Sequence, residues 1–289
     1  MEDLGEIQYL LGIEIRRNRA NRTLTIGQQK YIHDILAKHH MQDVKPQHIP
    51  IDPNVKLSKE DLNDKAVDEK EFQSQVGSLM YLMLGTRPDL AFAISKLSQF
   101  LAAPRQSQMT ALKRIFAYVK STQDLVLTYG DGGAKPELTG YSNADFAGCL
   151  DSRRSTSGYT FMLNGAAIAW RAQRQKSVLL STAEAEYIAL GEAAKESAWL
   201  NGIFHDVTTL SNTITIYEDN QAAMKLVNNP VLHQQTKHIN IRHHFICEHA
   251  KKGMIRLVYI ATAEMITDIQ TKTLPRSPFE HPRKLMGLI

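Results

Sequence analysis

Two rhythms of apolar and polar positions run along the chain, and the places where the rhythm changes outline its elements. Residues 8–15 (Gln-Tyr-Leu-Leu-Gly-Ile-Glu-Ile) and 23–26 (Thr-Leu-Thr-Ile) are short apolar runs joined by the polar stretch Arg16–Arg22, which predicts a hairpin. Tyr31, Ile32, Ile35 and Leu36 recur at helical spacing and predict a helix over 28–39. Residues 42–70 hold Pro46, Pro50 and Pro53 and then a run of charge, which predicts an exposed connector. Helical spacing returns over 71–84, 88–101 and 106–120, with Pro88 at a favoured first-turn position. Leu125–Tyr129 reads as a short strand, and the Gly-rich stretch 130–136 is the clearest boundary in the chain.

Beyond that boundary, strands are predicted at 137–145, 157–163 and 166–171, with Asn164-Gly165 as the hairpin turn between the last two. An alanine-rich helix follows over 182–202, capped by Ser181 or Thr182. Then come a strand at 213–217, helices at 220–228 and 236–251, a strand at 254–260 and a helix at 263–273. Three strands, a helix, a strand, helices, a strand and a helix describe a mixed α/β sheet with helices on its faces.

Composition narrows the class. A length of 289 residues suits one large or two ordinary domains, and 22% charged residues argue against wholesale disorder. The net charge of +4 is compatible with a polyanionic partner without requiring one. Cys149 and Cys247 have no CxxC spacing, which excludes a disulfide framework and a cysteine zinc site. His238 and His243 lie about 140° apart on a helix, so they do not converge on zinc either. No apolar run is long enough to span a membrane and no secretory signal opens the chain, so the expectation is an intracellular protein without a membrane partner.

The candidate chemistry lies after the boundary. Asn143 and Asp145 share one face of a strand. Glu184 and Glu186 are about 200° apart on their helix, and Glu186, beside Tyr187 and four before Leu190, is the inward one. Asp219 follows the Ile214-Thr215-Ile216 pattern at the carboxyl end of a strand, where open α/β sheets place ligands. Asp268 opens or lies within the last predicted helix. Taken singly, Asp219 reads as a cap for 220–228 and Glu186 as a solvated acid. Taken together, acids on separate elements form a cage for two hard divalent ions, the arrangement used in phosphodiester hydrolysis. Arg153-Arg154, and the basic helix carrying Lys237 and Arg242, read as solvated charge able to meet a nucleic-acid backbone. Trp170 and Trp199 read as core.

Several long, ordered segments carry a resemblance. They are Gly-Tyr-Ser-Asn-Ala-Asp-Phe-Ala-Gly (140–148), Asp-Ser-Arg-Arg-Ser-Thr-Ser-Gly-Tyr (151–159), Ser-Thr-Ala-Glu-Ala-Glu-Tyr (181–187), Glu-Asp-Asn-Gln-Ala-Ala (218–223), Thr-Lys-His-Ile-Asn-Ile-Arg-His-His-Phe-Ile (236–246) and Thr-Asp-Ile-Gln-Thr-Lys (267–272). With them, Leu138 to Lys272 resembles the ribonuclease H domain of copia-type retrotransposon Pol polyproteins. Residues 3–15, Gln29-Lys30-Tyr31, 76–82 and 86–93 are similar to the end of the reverse transcriptase of the same polyproteins.

The resemblance implies a ribonuclease H-like mixed five-stranded sheet with flanking helices, preceded by a smaller α+β thumb and connection region. It divides the chain into the end of palm and thumb (1–57), a mainly helical connection (58–133), a ribonuclease H-like domain (137–275) and a tail (276–289). The implied activity is hydrolysis of the RNA strand of RNA–DNA hybrids with two Mg²⁺ ions, Mn²⁺ being the alternative. The alternative function is a non-catalytic nucleic-acid-binding remnant. The family's four metal-binding acids fall on Asn143, Glu186, Asp219 and Asp268, so the first is an amide and the activity is expected to be impaired. Asp145 is the nearest substitute for it, about 6–7 Å along the strand. Met265 and Thr267 stand where the family has Gln and Ala, and Gln108 where it has His. Arg153, Arg154, Lys237 and Arg242 are the implied hybrid contacts, and the rest of the retroelement polyprotein is the implied protein partner. The implied locations are a cytoplasmic particle or the nucleus. The polymerase motif Tyr-x-Asp-Asp is absent from this sequence, so no nucleotide addition is expected of it.

Overall fold

The computed structural model describes residues 5–58, 64–130, 137–208, 213–228 and 245–289. They form two compact units: residues 1–134 with 273–289, and residues 135–272.

In the first unit, β1 (Tyr9–Leu10), β2 (Ile13–Asn18), β3 (Thr23–Gly27) and β4 (Leu127–Tyr129) form an antiparallel sheet in that order. The predicted hairpin forms as β2–β3, but the first strand expected over 8–15 breaks at Leu11-Gly12, both with positive φ, and β2 runs on through Arg16–Asn18 of the expected turn. Around it pack α1 (Gln29–Lys38), α2 (Glu69–Gly85), α3 (Ala91–Leu97) and α4 (Gln106–Ser121). The helical stripes read from sequence are the buried ones: Ile32, Ile35 and Leu36 on α1, Phe72, Val76, Leu79 and Leu82 on α2, and Leu112, Ile115 and Phe116 on α4. Asp68 caps α2 by accepting a 2.7 Å hydrogen bond from the Glu71 amide.

Two further expectations are corrected here. The helix over 88–101 is broken into a 3₁₀ turn at Pro88–Leu90, α3, and a second 3₁₀ turn at Ser98–Phe100. At that second turn the Ser98 hydroxyl donates back to the Ile94 carbonyl, competing with the helical ladder. The connector 42–70 is not exposed throughout, because Ile49, Ile51 and Leu57 are buried; the apolar residues among its prolines anchor it to the helices. The tail at 276–289 has structure of its own. It forms α9 (Arg276–Leu285), which buries Phe279 and Pro282, and a terminus in which Ile289 and Val126 exchange backbone hydrogen bonds of 3.0 and 3.1 Å.

The second unit holds the mixed five-stranded sheet with flanking helices. Its strands are β5 (Leu138–Asp145), β6 (Thr156–Leu163), β7 (Ala166–Arg174), β8 (Ile214–Glu218) and β9 (Ile255–Tyr259), in the order β7-β6-β5-β8-β9. β5, β6 and β7 are antiparallel, and β8 and β9 join parallel. Asn164 and Gly165 both have positive φ, 50° and 86°, as a tight β6–β7 turn requires. The long helix α5 (Thr182–Thr208) covers one face, where Leu138, Phe161, Tyr187, Leu190, Ile214 and Ile216 share a core. α6 (Gln221–Asn228) and a helix over 245–251, α7, complete the described helices on that core.

The helix expected over 263–273 is reduced to a 3₁₀ turn at Thr262–Glu264 and the short α8 (Asp268–Thr271). Between them Met265 turns extended (ψ 99°), and Met265 and Ile266 are buried, so core packing wins over helix continuity.

Candidate active site

The site gathers at the carboxyl ends of β5 and β8, where α5 starts and α8 closes over the sheet. The start of α5 is fixed by the Ser181 hydroxyl, which accepts a 3.2 Å hydrogen bond from the Glu184 amide, and by the Glu184 carboxylate, which accepts one of 3.2 Å from the Leu180 amide. That leaves Glu184 outside and turns Glu186 to the sheet, where it is only 4% exposed. On β8 the alternation that buries Ile214 and Ile216 continues to Glu218, which is completely buried. Asn220 caps α6 by accepting from the Ala223 amide at 3.0 Å, so Asp219 is not the cap that its position allows. The result is a triad: Glu186, Glu218 and Asp219 each place a carboxylate oxygen within 4.8 Å of the others.

Asn143 and Asp268 form the other half. The Asn143 amide donates to Asp268 Oδ1 at 2.6 Å and to the Thr271 hydroxyl at 3.0 Å. Lys272 Nζ lies 2.9 Å from the same Asp268 oxygen. α8 comes this close because Asn143 pairs with Gly158 on β6. A Cβ at Gly158 would stand 2.7 Å from the Gln270 Cβ and 2.8 Å from a Thr271 methyl, so only glycine leaves room for α8.

Electrostatics separates the two halves. Burial, and then the neighbouring Asp219, push the Glu186 carboxyl up to about 9. Burial and Glu186 hold Glu218 well above the usual carboxylate range. Burial also raises Asp268, against the opposing pull of Lys272 and Asn143. Among the described residues, one oxygen of Glu186 and one of Glu218, Oε2 in each, are buried without a hydrogen-bond partner. Buried unpartnered carboxylate oxygens are costly, and an all-oxygen donor set is the kind that hard divalent cations take. The residues present therefore fit a divalent ion.

Of the residues singled out from sequence, Asn143 and Asp268 are in direct contact, and Glu186 and Asp219 lie in the triad. Asp145 is not in that group; its carboxylate lies over the loop at Gly148, where a built Cβ would be 1.9 Å from Oδ2. Arg153 is exposed with φ 53°, and Arg154 is half-buried, both in the β5–β6 loop. Lys237 and Arg242 lie outside the described residues. Met265 and Thr267 are buried just before α8. Trp199 is 60% exposed on α5 rather than core, and Trp170 is half-buried. Gln108 caps α4, accepting from the Arg105 amide at 2.7 Å. Sequence reasoning missed Glu218. The signal was present: it is the next inward position after Ile214 and Ile216.

Comparison with known proteins decides the ancestry. The chain is 40% identical over its whole length to the retrovirus-related Pol polyprotein from transposon TNT 1-94 of Nicotiana tabacum, and covers 22% of it. It is 36% identical over its whole length to that from transposon RE1 of Arabidopsis thaliana, covering 19%. The chain belongs to the copia-type retrotransposon Pol polyprotein family. It spans about a fifth of the length of these Pol polyproteins. No protein-family model matches. A foamy viral protease-reverse transcriptase, solved with double-stranded DNA, superposes with a TM-score of 0.51 at 13% identity, covering 93% of this chain and 38% of that one. The second unit of this Pol-family chain has the ribonuclease H-like fold. No helix among the described residues is long and apolar enough to cross a membrane.

Proposed function

We propose that the second unit is a divalent-ion-dependent ribonuclease H acting on the RNA strand of RNA–DNA hybrids, with turnover held down by Asn143. The observation that carries the reading is the gathering of Glu186, Glu218 and Asp219 at the strand ends, with unpartnered buried oxygens beside Asp268. In this reading Glu186, Asp219 and Asp268 hold Mg²⁺, with Mn²⁺ able to replace it. Bound there, the ions activate water and stabilise the leaving 3′ oxygen. Asn143 offers no charge to that cage, and its amide occupies an Asp268 oxygen. Arg153 and Arg154 meet the phosphates without reading bases. Nucleotide addition is not part of the proposal.

A non-catalytic, hybrid-binding remnant of the polyprotein is the second reading. What favours it is the closed Asn143–Asp268–Lys272 contact. Cleavage of a labelled hybrid in Mg²⁺ separates the two. The expected result is slow cleavage by the chain and a gain of at least about tenfold for Asn143→Asp. Equal rates for both would remove Asn143 from the metal site, and no cleavage by either would support the remnant.

A further inference from the structure

We propose that Glu218 is a metal ligand and that the one divalent ion this chain binds sits on Glu186, Glu218 and Asp219, while Asp268, held by Asn143 and Lys272, serves only a second ion that Asn143 keeps out. The inference rests on the ion-dependent reading above and deepens it. Three observations carry it. Glu218 is completely buried at the end of β8, a position where packing alone favours an apolar side chain, as at Ile214 and Ile216. One of its oxygens accepts from the Asn220 amide at 3.2 Å, and the other is buried with no hydrogen bond of ordinary length among the described residues, the Ser142 hydroxyl being the nearby donor. Unpartnered Glu186 Oε2 belongs to the same triad, whose ligand atoms lie within 4.8 Å of one another.

The other half of the site is satisfied from within. Asp268 takes an amide donor from Asn143 and an ammonium from Lys272 on one oxygen. An aspartate at 143 would face Asp268 with like charge, and that repulsion calls for a second cation. The asparagine removes the call. Charge therefore leaves the β5 side of the cage, while Glu218 adds charge on the β8 side. A single ion held by three carboxylates would bind substrate phosphate without completing the pair of ions that in-line hydrolysis uses.

The test counts ions rather than turnover. Mn²⁺ binding to the full chain is followed by electron paramagnetic resonance, beside melting with and without Mg²⁺. The expected result is one Mn²⁺ per chain, loosened at least about tenfold by Glu218→Gln, kept by Asp268→Asn, and joined by a second ion in Asn143→Asp. Glu218→Gln should also raise the ion-free melting temperature and lose the rise that Mg²⁺ gives. Should that variant fail to fold, Glu218→Asp, which keeps the charge on a shorter arm, should still bind Mn²⁺ less tightly. Mn²⁺ affinity unchanged by Glu218→Gln or Glu218→Asp but lost in Asp268→Asn would overturn the Glu218 assignment and leave the proposed nuclease intact. No bound ion in any variant, Asn143→Asp included, would sink both.

Discussion

The two units each bury a cluster of ionisable groups, and they settle the charge in opposite ways. In the first unit Arg87 and Asp89 are fully buried and joined by two hydrogen bonds of 2.9 and 2.7 Å. Tyr118 donates to the same carboxylate at 2.5 Å, and Arg87 is tied to the Thr122 hydroxyl and carbonyl at 2.7 and 3.2 Å. In the second unit, Glu186 and Glu218 are as deeply buried, yet they face each other and Asp219, and among the described residues neither is in an ion pair. A buried charge is tolerated when its partner is built in, or when the partner comes from outside. The first arrangement holds a fold together, and the second is the one on which the proposed ion site rests.

Breaking the complete cluster should cost most. Arg87→Met leaves Asp89 buried without its guanidinium, and urea unfolding of the first unit should show a loss of about 3–5 kcal/mol. A loss under about 1 kcal/mol would mean that water or Arg283 replaces the partner.

The incomplete cluster should answer to pH and to ions. Glu186 holds its proton to about 9 when folded, against its ordinary value of 4.5. Its contribution to stability is thus complete below about 4.5 and is lost as the pH rises towards 9, because the unfolded chain binds fewer protons over that window. The ion-free melting temperature of the second unit should fall across that range, and Mg²⁺ should flatten the fall. A profile that Mg²⁺ does not change would break the contrast between the units.

Exposed pairs set the lower bound. Glu248 and Lys252 lie 2.6 Å apart with side chains 57% and 60% exposed. Lys252→Ala should shift stability by less than about 0.5 kcal/mol, a difference that raised salt erases. A larger effect would show that the ion pair is coupled to the core beneath α7.

Much of the architecture was legible in the residue pattern. The Asn164-Gly165 turn, the stripes of α1, α2 and α4, and the order of strands and helices in the second unit all follow from local rules. Those rules are short in range, and the elements obey them because each buries its own apolar face. The misread elements are the ones where packing at a distance decided. Core burial of Met265 and Ile266 cut the last predicted helix down to α8. Ile49, Ile51 and Leu57 turned an expected exposed connector inward. Backbone hydrogen bonds also tie Gly287 and Ile289 to Thr128 and Val126, a pairing no local pattern announces.

For the site, the residue pattern offered Glu186, Asp219 and Asp268 as acids on separate elements, and the family resemblance added Asn143 as the place of a missing acid. The sequence by itself also set the charge that Asn143 withholds. Which acids converge was decided by the tertiary structure alone. The register of β5 on β8, the inward turn of Glu218 and the space above Gly158 bring together residues far apart in the chain. The cost of a buried charge depends on what surrounds it in space. Only the fold could show that Asp268 is already partnered and that one oxygen each of Glu186 and Glu218 has no hydrogen-bond partner among the described residues.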